Sequence, residues 1–276
     1  MYSALYKELT EAEKIEYLAR IGITDEVKPT VADLTRLVWA HHCMVPFENL
    51  DVCDYNLVPS LAIDALFDKV VTRRRGGYCF EMNAIFHALL KAVGFEIIPC
   101  IGKVGGPSPM GPMPSLHRVN LAVIDGERYF CDVGFGGFMP RGCLKFVNDV
   151  KQELAGKTFH FEGVENDWAI LYNDSESPAE PMFQIYTHPQ EPVDFVPPNA
   201  ITGGPTGFFA MTRIVNLTKP NGSAALSNNR LTVREDGNVT ITEIKSQRQY
   251  YDALEDVFGI VLPPREFPTF GKPSED

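Results

Sequence analysis

The sequence predicts an α+β fold of roughly two or three packed subdomains, on three observations. Apolar residues recur with helical period through the first ninety-odd positions, and the period turns strand-like after Gly94. A chain of 276 residues with 45% hydrophobic content also slightly exceeds what a single core usually organises. The pattern shifts divide it into a helical segment 1–94, a strand-rich segment 95–207 and a mixed segment 208–276.

In order, Thr10-Glu11-Ala12-Glu13 has the form of a capping box before Ile15, Leu18 and Ile21, and Thr30 opens a second helix carrying Leu34, Leu37 and Val38. Ser60 is placed to cap a third, with Leu66, Phe67, Val70 and Val71 along one side. The fourth is the most apolar. Behind Cys79, Met82, Ile85, Phe86, Leu89, Leu90 and Val93 form one stripe, ended by Gly94. Four helices in this span predict a bundle. Pro46 ends the second helix, and Phe47-Glu48-Asn49 reads as a loop. His41 and His42 are adjacent and cannot share a helix face, so they read as packing or capping residues, and no metal site is expected.

After Gly94, residues 96–104 are rich in branched side chains and predict a strand, and the proline- and glycine-rich stretch 105–114 must be a loop. Residues 117–124 and 128–135 flank Asp125-Gly126, a dipeptide suited to a two-residue type I′ hairpin turn. Proline is dense over 178–205, which predicts a long, stiff link. Strands follow at 211–218, 230–233 and 238–244, then a helix over 249–258 with Tyr250, Leu254, Val257 and Phe258 inward, and an extended tail over 263–276.

The formal charge of −11 is spread along the chain, which argues against general affinity for nucleic acid or an anionic membrane, so an anionic ligand must rely on a local patch. Six cysteines show neither a C-x-x-C pair nor the spacing of a disulfide framework. No signal-type segment and no apolar run of membrane-spanning length is present, so reduced thiols in the cytoplasm are expected.

Cys79 falls in the first turn of the fourth helix, where unpaired N–H groups and the positive end of the macrodipole favour an anion, the nucleophilic form of a thiol. Gly76 and Gly77 allow a tight bend and a substrate's approach, and Arg73, Arg74 and Arg75 add positive charge. The competing reading is an inert buried thiol. The hairpin supplies a base: with Asp125 and Gly126 in the turn, Ile124 pairs with Glu127 and Asp132 lies opposite Val119, on the face that His117 shares. A carboxylate on one imidazole nitrogen leaves the other to take a thiol proton, a Cys79-His117-Asp132 triad. On spacing alone, His117 and Asp132 also suit a simple cross-strand surface pair.

Residues 75–83 (Arg-Gly-Gly-Tyr-Cys-Phe-Glu-Met-Asn), then His117, then Asp132-Val133-Gly134-Phe135-Gly136 resemble, in order and spacing, the signature of arylamine N-acetyltransferases. Pro46-Phe47-Glu48-Asn49 is similar to that family's N-terminal aromatic loop, and 199–209 more loosely to its coenzyme-proximal segment. The resemblance implies a helical bundle, a β-barrel and an α/β lid around a cysteine-protease-like Cys-His-Asp core. It implies acyl transfer, most readily acetyl, from acyl-coenzyme A as co-substrate to an arylamine, hydrazine or arylhydroxylamine, with no permanently bound cofactor. By the same resemblance Phe47, Leu116 and Phe135 belong to the acceptor pocket, and Gly134, Gly136, Gly137 and Thr206 to the coenzyme. Arg75, Glu81 and Asn83 brace the Cys79 turn. Met113-Pro114-Ser115 departs from the family pattern before the histidine. Rival readings are a thiol hydrolase or amide synthase with the same triad, a malonyl donor, and a non-catalytic ligand-binding module.

Overall fold

The computed structural model describes residues 2–106 and 113–263. Most of the predicted loop, 107–112, and nearly all of the predicted tail, 264–276, lie outside the described residues.

Helices α1 (Glu11–Arg20) and α2 (Val31–Met44) start where their caps predict. The Thr10 N–H donates to Glu13 Oε2 at 2.7 Å and the Glu13 N–H returns to Thr10 Oγ1 at 3.3 Å, so two orphan donors are satisfied reciprocally. The third helix departs from expectation. Its α-helical part, α4 (Ile63–Phe67), begins after Ala62 without a side-chain cap, and a π-helical turn over Asp68–Thr72 continues it. The Ser60 hydroxyl accepts only from the Ala62 N–H. Helix α5 (Cys79–Val93) ends on Gly94 at φ 109, whose N–H closes on Leu90 O.

Phe47–Glu48, expected as a loop, forms a short strand β1, followed by the single turn α3 (Leu50–Cys53). Strands β2 (Glu96–Val104), β3 (His117–Ile124) and β4 (Glu127–Cys131) follow the predicted register, with Ile124 opposite Glu127. Asp125 and Gly126 have φ of 52° and 80°, the signs a type I′ turn demands. Then come β5 (Leu144–Lys145), β6 (Gln152–Leu154), β7 (Lys157–Glu162), β8 (Trp168–Asn173) and β9 (Glu180–Tyr186), in an eight-stranded sheet of order β5-β4-β3-β2-β9-β8-β7-β6. Its two edges nearly meet. The Gln152 side chain accepts from the Lys145 N–H and donates to the Lys145 carbonyl, both at 2.7 Å, which ties β6 to β5 and gives a barrel-like sheet.

The predicted stiff link contains β9, a 3₁₀ turn over Pro192–Phe195 and helix α6 (Val196–Thr202). Pro181, Pro192, Pro197 and Pro198 sit in the first residues of these pieces, and Pro189 and Pro205 lie between or after them. After α7 (Phe208–Met211), strands β10 (Ile214–Lys219), β11 (Gly222–Ser227), β12 (Arg230–Glu235) and β13 (Asn238–Glu243) make a second antiparallel sheet, with α8 (Gln247–Phe258) behind it. Strand β1 joins that sheet beside β10. The N-terminal segment thus enters the C-terminal sheet.

Two cores meet at the hairpin, and a third lies in the C-terminal segment. Ala122, Ile124, Cys131 and Val133 pack with α1, α2, α4 and α5. Val119, Leu121 and Phe130 face the barrel interior with Phe159, Phe161 and Phe183. Hence β3 is buried on both faces, and its second half, 121–124, reads as an apolar run rather than an alternation. Val215, Leu226, Tyr250, Leu254 and Phe258 form the core beneath α8.

Candidate active site

Cys79 is the first residue of α5, buried, with Sγ 3.6 Å from the Leu116 carbonyl oxygen and beside the His117 ring. His117 opens β3, and its Nε2 meets Asp132 Oδ2 at 2.5 Å, which leaves Nδ1 for the thiol. Asp132 follows the end of β4. Its other oxygen accepts from Asn83 Nδ2 at 2.8 Å and from the Gly134 N–H at 2.7 Å, and its carbonyl from His42 Nε2 at 2.9 Å. The Phe183 ring stacks on His117 at 5.0 Å between centroids, and Phe135 meets it edge-on at 5.9 Å.

Burial opposes a charged His117. The Asp132 carboxylate, by charge and hydrogen bond, together with Cys79, outweighs it and raises the ring from 6.5 to about 10. Burial likewise opposes the Asp132 carboxylate, but His117, Asn83 and the Gly134 N–H hold it below its ordinary 3.8. The stabilisation from His117 is complete below pH 6.5 and is lost as pH rises through about 10; that from Asp132 is present above 3.8 and is lost as pH falls through its lower folded value. The difference in melting temperature between the native chain and His117→Gln is therefore expected to be largest near about pH 5 and to shrink steadily towards about pH 10.

The arginine run does not act as the sequence suggests. Arg73 pairs with Asp68 at the surface, and Arg75 is buried against Glu48 and Asp51, each at 2.7 Å. Lys69, also buried, bridges Asp51 and Glu81 at 2.7 Å each. Glu81 Oε2 accepts the Tyr78 N–H at 3.1 Å, so this network fixes the turn that presents Cys79. Burial, against Lys69 and with Glu48 and Asp51, pushes Glu81 up to about 7. Removing one partner leaves buried charge uncompensated. Arg75→Ala is expected to lower unfolding free energy by about 3–5 kcal/mol in urea denaturation.

Glycines serve close packing here. A Cβ on Gly76 would stand 1.7 Å from the Pro46 carbonyl oxygen, and one on Gly134 would stand 2.7 Å from the Cys79 Cα. Gly76 therefore seats the 46–48 segment rather than opening space for a substrate. Gly134 spends its N–H on Asp132 rather than offering it to a phosphate.

A cavity of about 480 Å³ opens over Cys79 and His117. Phe47, Leu116, Phe135, Gly134, Gly136 and Gly137 all line it. Thr206 is exposed in the turn between α6 and α7 and lies outside this lining. Val104, Phe208, Phe209 and Ile214 also line the cavity and were not foreseen, although the Phe208-Phe209 pair after Gly207 was a visible apolar signal. Among the described residues, no group of three or more His, Cys, Asp or Glu could hold a metal ion.

A family model described as N-acetyltransferase matches residues 30–267. The chain belongs to the arylamine N-acetyltransferase family. An arylamine N-acetyltransferase of Mycolicibacterium smegmatis is 30% identical over 251 residues, covering 89% of this chain and 91% of the relative. The solved arylamine N-acetyltransferase of Salmonella typhimurium superposes with TM-score 0.83 at 27% identity, covering 96% of each chain. That of Mycobacterium marinum, solved in complex with CoA, superposes with TM-score 0.80 at 28% identity over 89% of this chain and 92% of that one. Membership makes this arylamine N-acetyltransferase relative an acyltransferase enzyme and sets aside the non-catalytic reading. Among the described residues no helix is long and apolar enough to cross a membrane.

Proposed function

We propose that the chain transfers an acetyl group from acetyl-coenzyme A to the nitrogen of an arylamine, arylhydrazine or arylhydroxylamine by way of a thioester on Cys79. The observation that carries this reading is the meeting of Cys79, His117 and Asp132 at the floor of an aromatic, apolar cavity. His117, raised to about 10, holds the thiol proton on Nδ1 at neutral pH, the sulfur attacks the thioester carbonyl, and the carbon–sulfur bond to coenzyme A breaks as its sulfur takes that proton from the imidazolium. The acceptor nitrogen then attacks the Cys79 thioester, His117 accepts the proton released as the C–N bond forms, and the Cys79 thiol is restored.

Phe47, Leu116 and Phe135 are assigned to the acceptor, because flat apolar walls favour an aromatic amine over a charged aliphatic one. Gly136 and Gly137 line both this cavity and a neighbouring cleft, and we assign them to the coenzyme side. Acetyl is favoured over malonyl as the donor group, since among the described residues no lysine or arginine lines the cavity to meet a malonyl carboxylate. Six free cysteines suit a reducing compartment such as the cytoplasm.

Initial rates with acetyl-coenzyme A and an arylamine are the test. Parallel double-reciprocal lines, with one free coenzyme A thiol per acetylated amine, are expected. Intersecting lines, or turnover of an amide or ester without coenzyme A, would favour direct transfer or a hydrolase.

A further inference from the structure

Arg118, next to His117 in β3, is a buried cation that the acetyl-transfer reading does not use. It is 3% exposed and lines a cavity of about 70 Å³, along with Tyr6, Ile63, Ala84, His87 and Pro192. This cavity shares no lining residue with the one over Cys79. The guanidinium carbon stands 4.3 Å from the centre of the Phe195 ring. That contact faces the plane of the group and satisfies none of its five N–H donors.

Among the described residues, no carboxylate pairs with Arg118, none of its nitrogens donates a hydrogen bond to the protein, and Nε is fully buried without a partner. Burial pushes the group down to about 9 against a smaller opposing pull from Cys79, which gives it no hydrogen bond, so it stays charged at neutral pH. The other charges on the cavity wall are already committed: Lys91 pairs with Glu8 at 3.0 Å, and Lys7 with Glu13 at 2.7 Å and with Asp64. His87 Nδ1, in the same wall, is a second buried polar atom without a partner. A buried cation in an otherwise neutralised wall calls for a counter-ion.

We propose that Arg118 and His87 bind a small monovalent anion, a halide or a formate-sized carboxylate, where residues 5–8, α4, α5 and β3 converge. The volume holds about two water molecules' worth of matter, which suits such an ion and excludes a nucleotide or an aromatic amine. The His87 tautomer with its proton on Nδ1 donates to the anion beside the guanidinium. Bound there, the anion ties the N-terminal segment to the strand that carries His117. This site does not depend on the acetyl-transfer reading.

Two measurements on the full chain decide it. Crystals soaked in bromide should show an anomalous peak against Arg118, and crystals grown in formate should show a planar carboxylate there. In solution at constant ionic strength, replacing gluconate by bromide, chloride or formate should raise the melting temperature saturably, by about 2–4 °C. The rise should vanish in Arg118→Met and Arg118→Gln. Water alone in the cavity, a peak without a saturable melting shift, or an equal response in native and variant chains would overturn the site. Should both variants fail to fold, the native crystals and melts still decide.

Discussion

Cys79→Ala is expected to abolish acetyl transfer, with kcat/KM falling by roughly 10⁴- to 10⁶-fold while the fold and the aromatic cavity persist. The sulfur is the only atom lost, and its environment asks little of it structurally. It touches the Leu116 carbonyl at a long 3.6 Å, whereas the turn that carries it is held by Glu81, Lys69 and Arg75. The melting temperature of the variant should therefore stay close to that of the native chain. Retention of more than about a tenth of native turnover would place the acyl group elsewhere, on the coenzyme throughout or on another nucleophile.

Asp132→Asn is expected to lower kcat by roughly 10²- to 10⁴-fold through the tautomer of His117. One Asp132 oxygen accepts from two donors, Asn83 Nδ2 and the Gly134 N–H, and the other accepts from His117 Nε2. An amide keeps its one oxygen where two donors converge and turns its NH₂ towards the ring. Nε2 must then accept, the ring proton moves to Nδ1, and the nitrogen beside Cys79 can no longer take a proton. The pH–rate profile separates this from simple unfolding. The native profile should depend on a group raised well above the ordinary histidine value, as His117 is, and the variant, assayed well below its own melting temperature, should lose that dependence.

The parts of this site legible in the sequence were those set by local rules. A helical stripe places Cys79 at the start of α5, and an Asp-Gly turn with two positive φ values fixes the register of β3 and β4. That register brings His117 and Asp132 together because side-chain direction in a hairpin follows from counting. What could not be read depends on partners far along the chain. Phe183 reaches His117 from β9, in a stretch whose prolines suggested only a link. His42 supports the Asp132 carbonyl from α2, where adjacency to His41 gave no sign of it. Glu48, Asp51, Lys69 and Glu81 look like ordinary surface charges in sequence, and only the packing of α5 against the 46–51 segment buries them together.

The same distinction explains why three arginines before Cys79 misled. A run of like charge suggests a positive field, yet Arg73 and Arg75 are consumed by Asp68, Glu48 and Asp51. Gly134 is a similar case: a glycine after an aspartate invites a phosphate-loop reading, but its N–H holds Asp132 and its bare Cα admits the start of α5.

Intact-mass measurement after mixing the chain with acetyl-coenzyme A, in the absence of any amine, tests most directly whether the sulfur at the head of α5 carries the acyl group. The expected result is a single acetyl adduct that maps to Cys79 and disappears when an arylamine is added. An unmodified chain, or an adduct on another residue that survives Cys79→Ala, would contradict a Cys79 thioester.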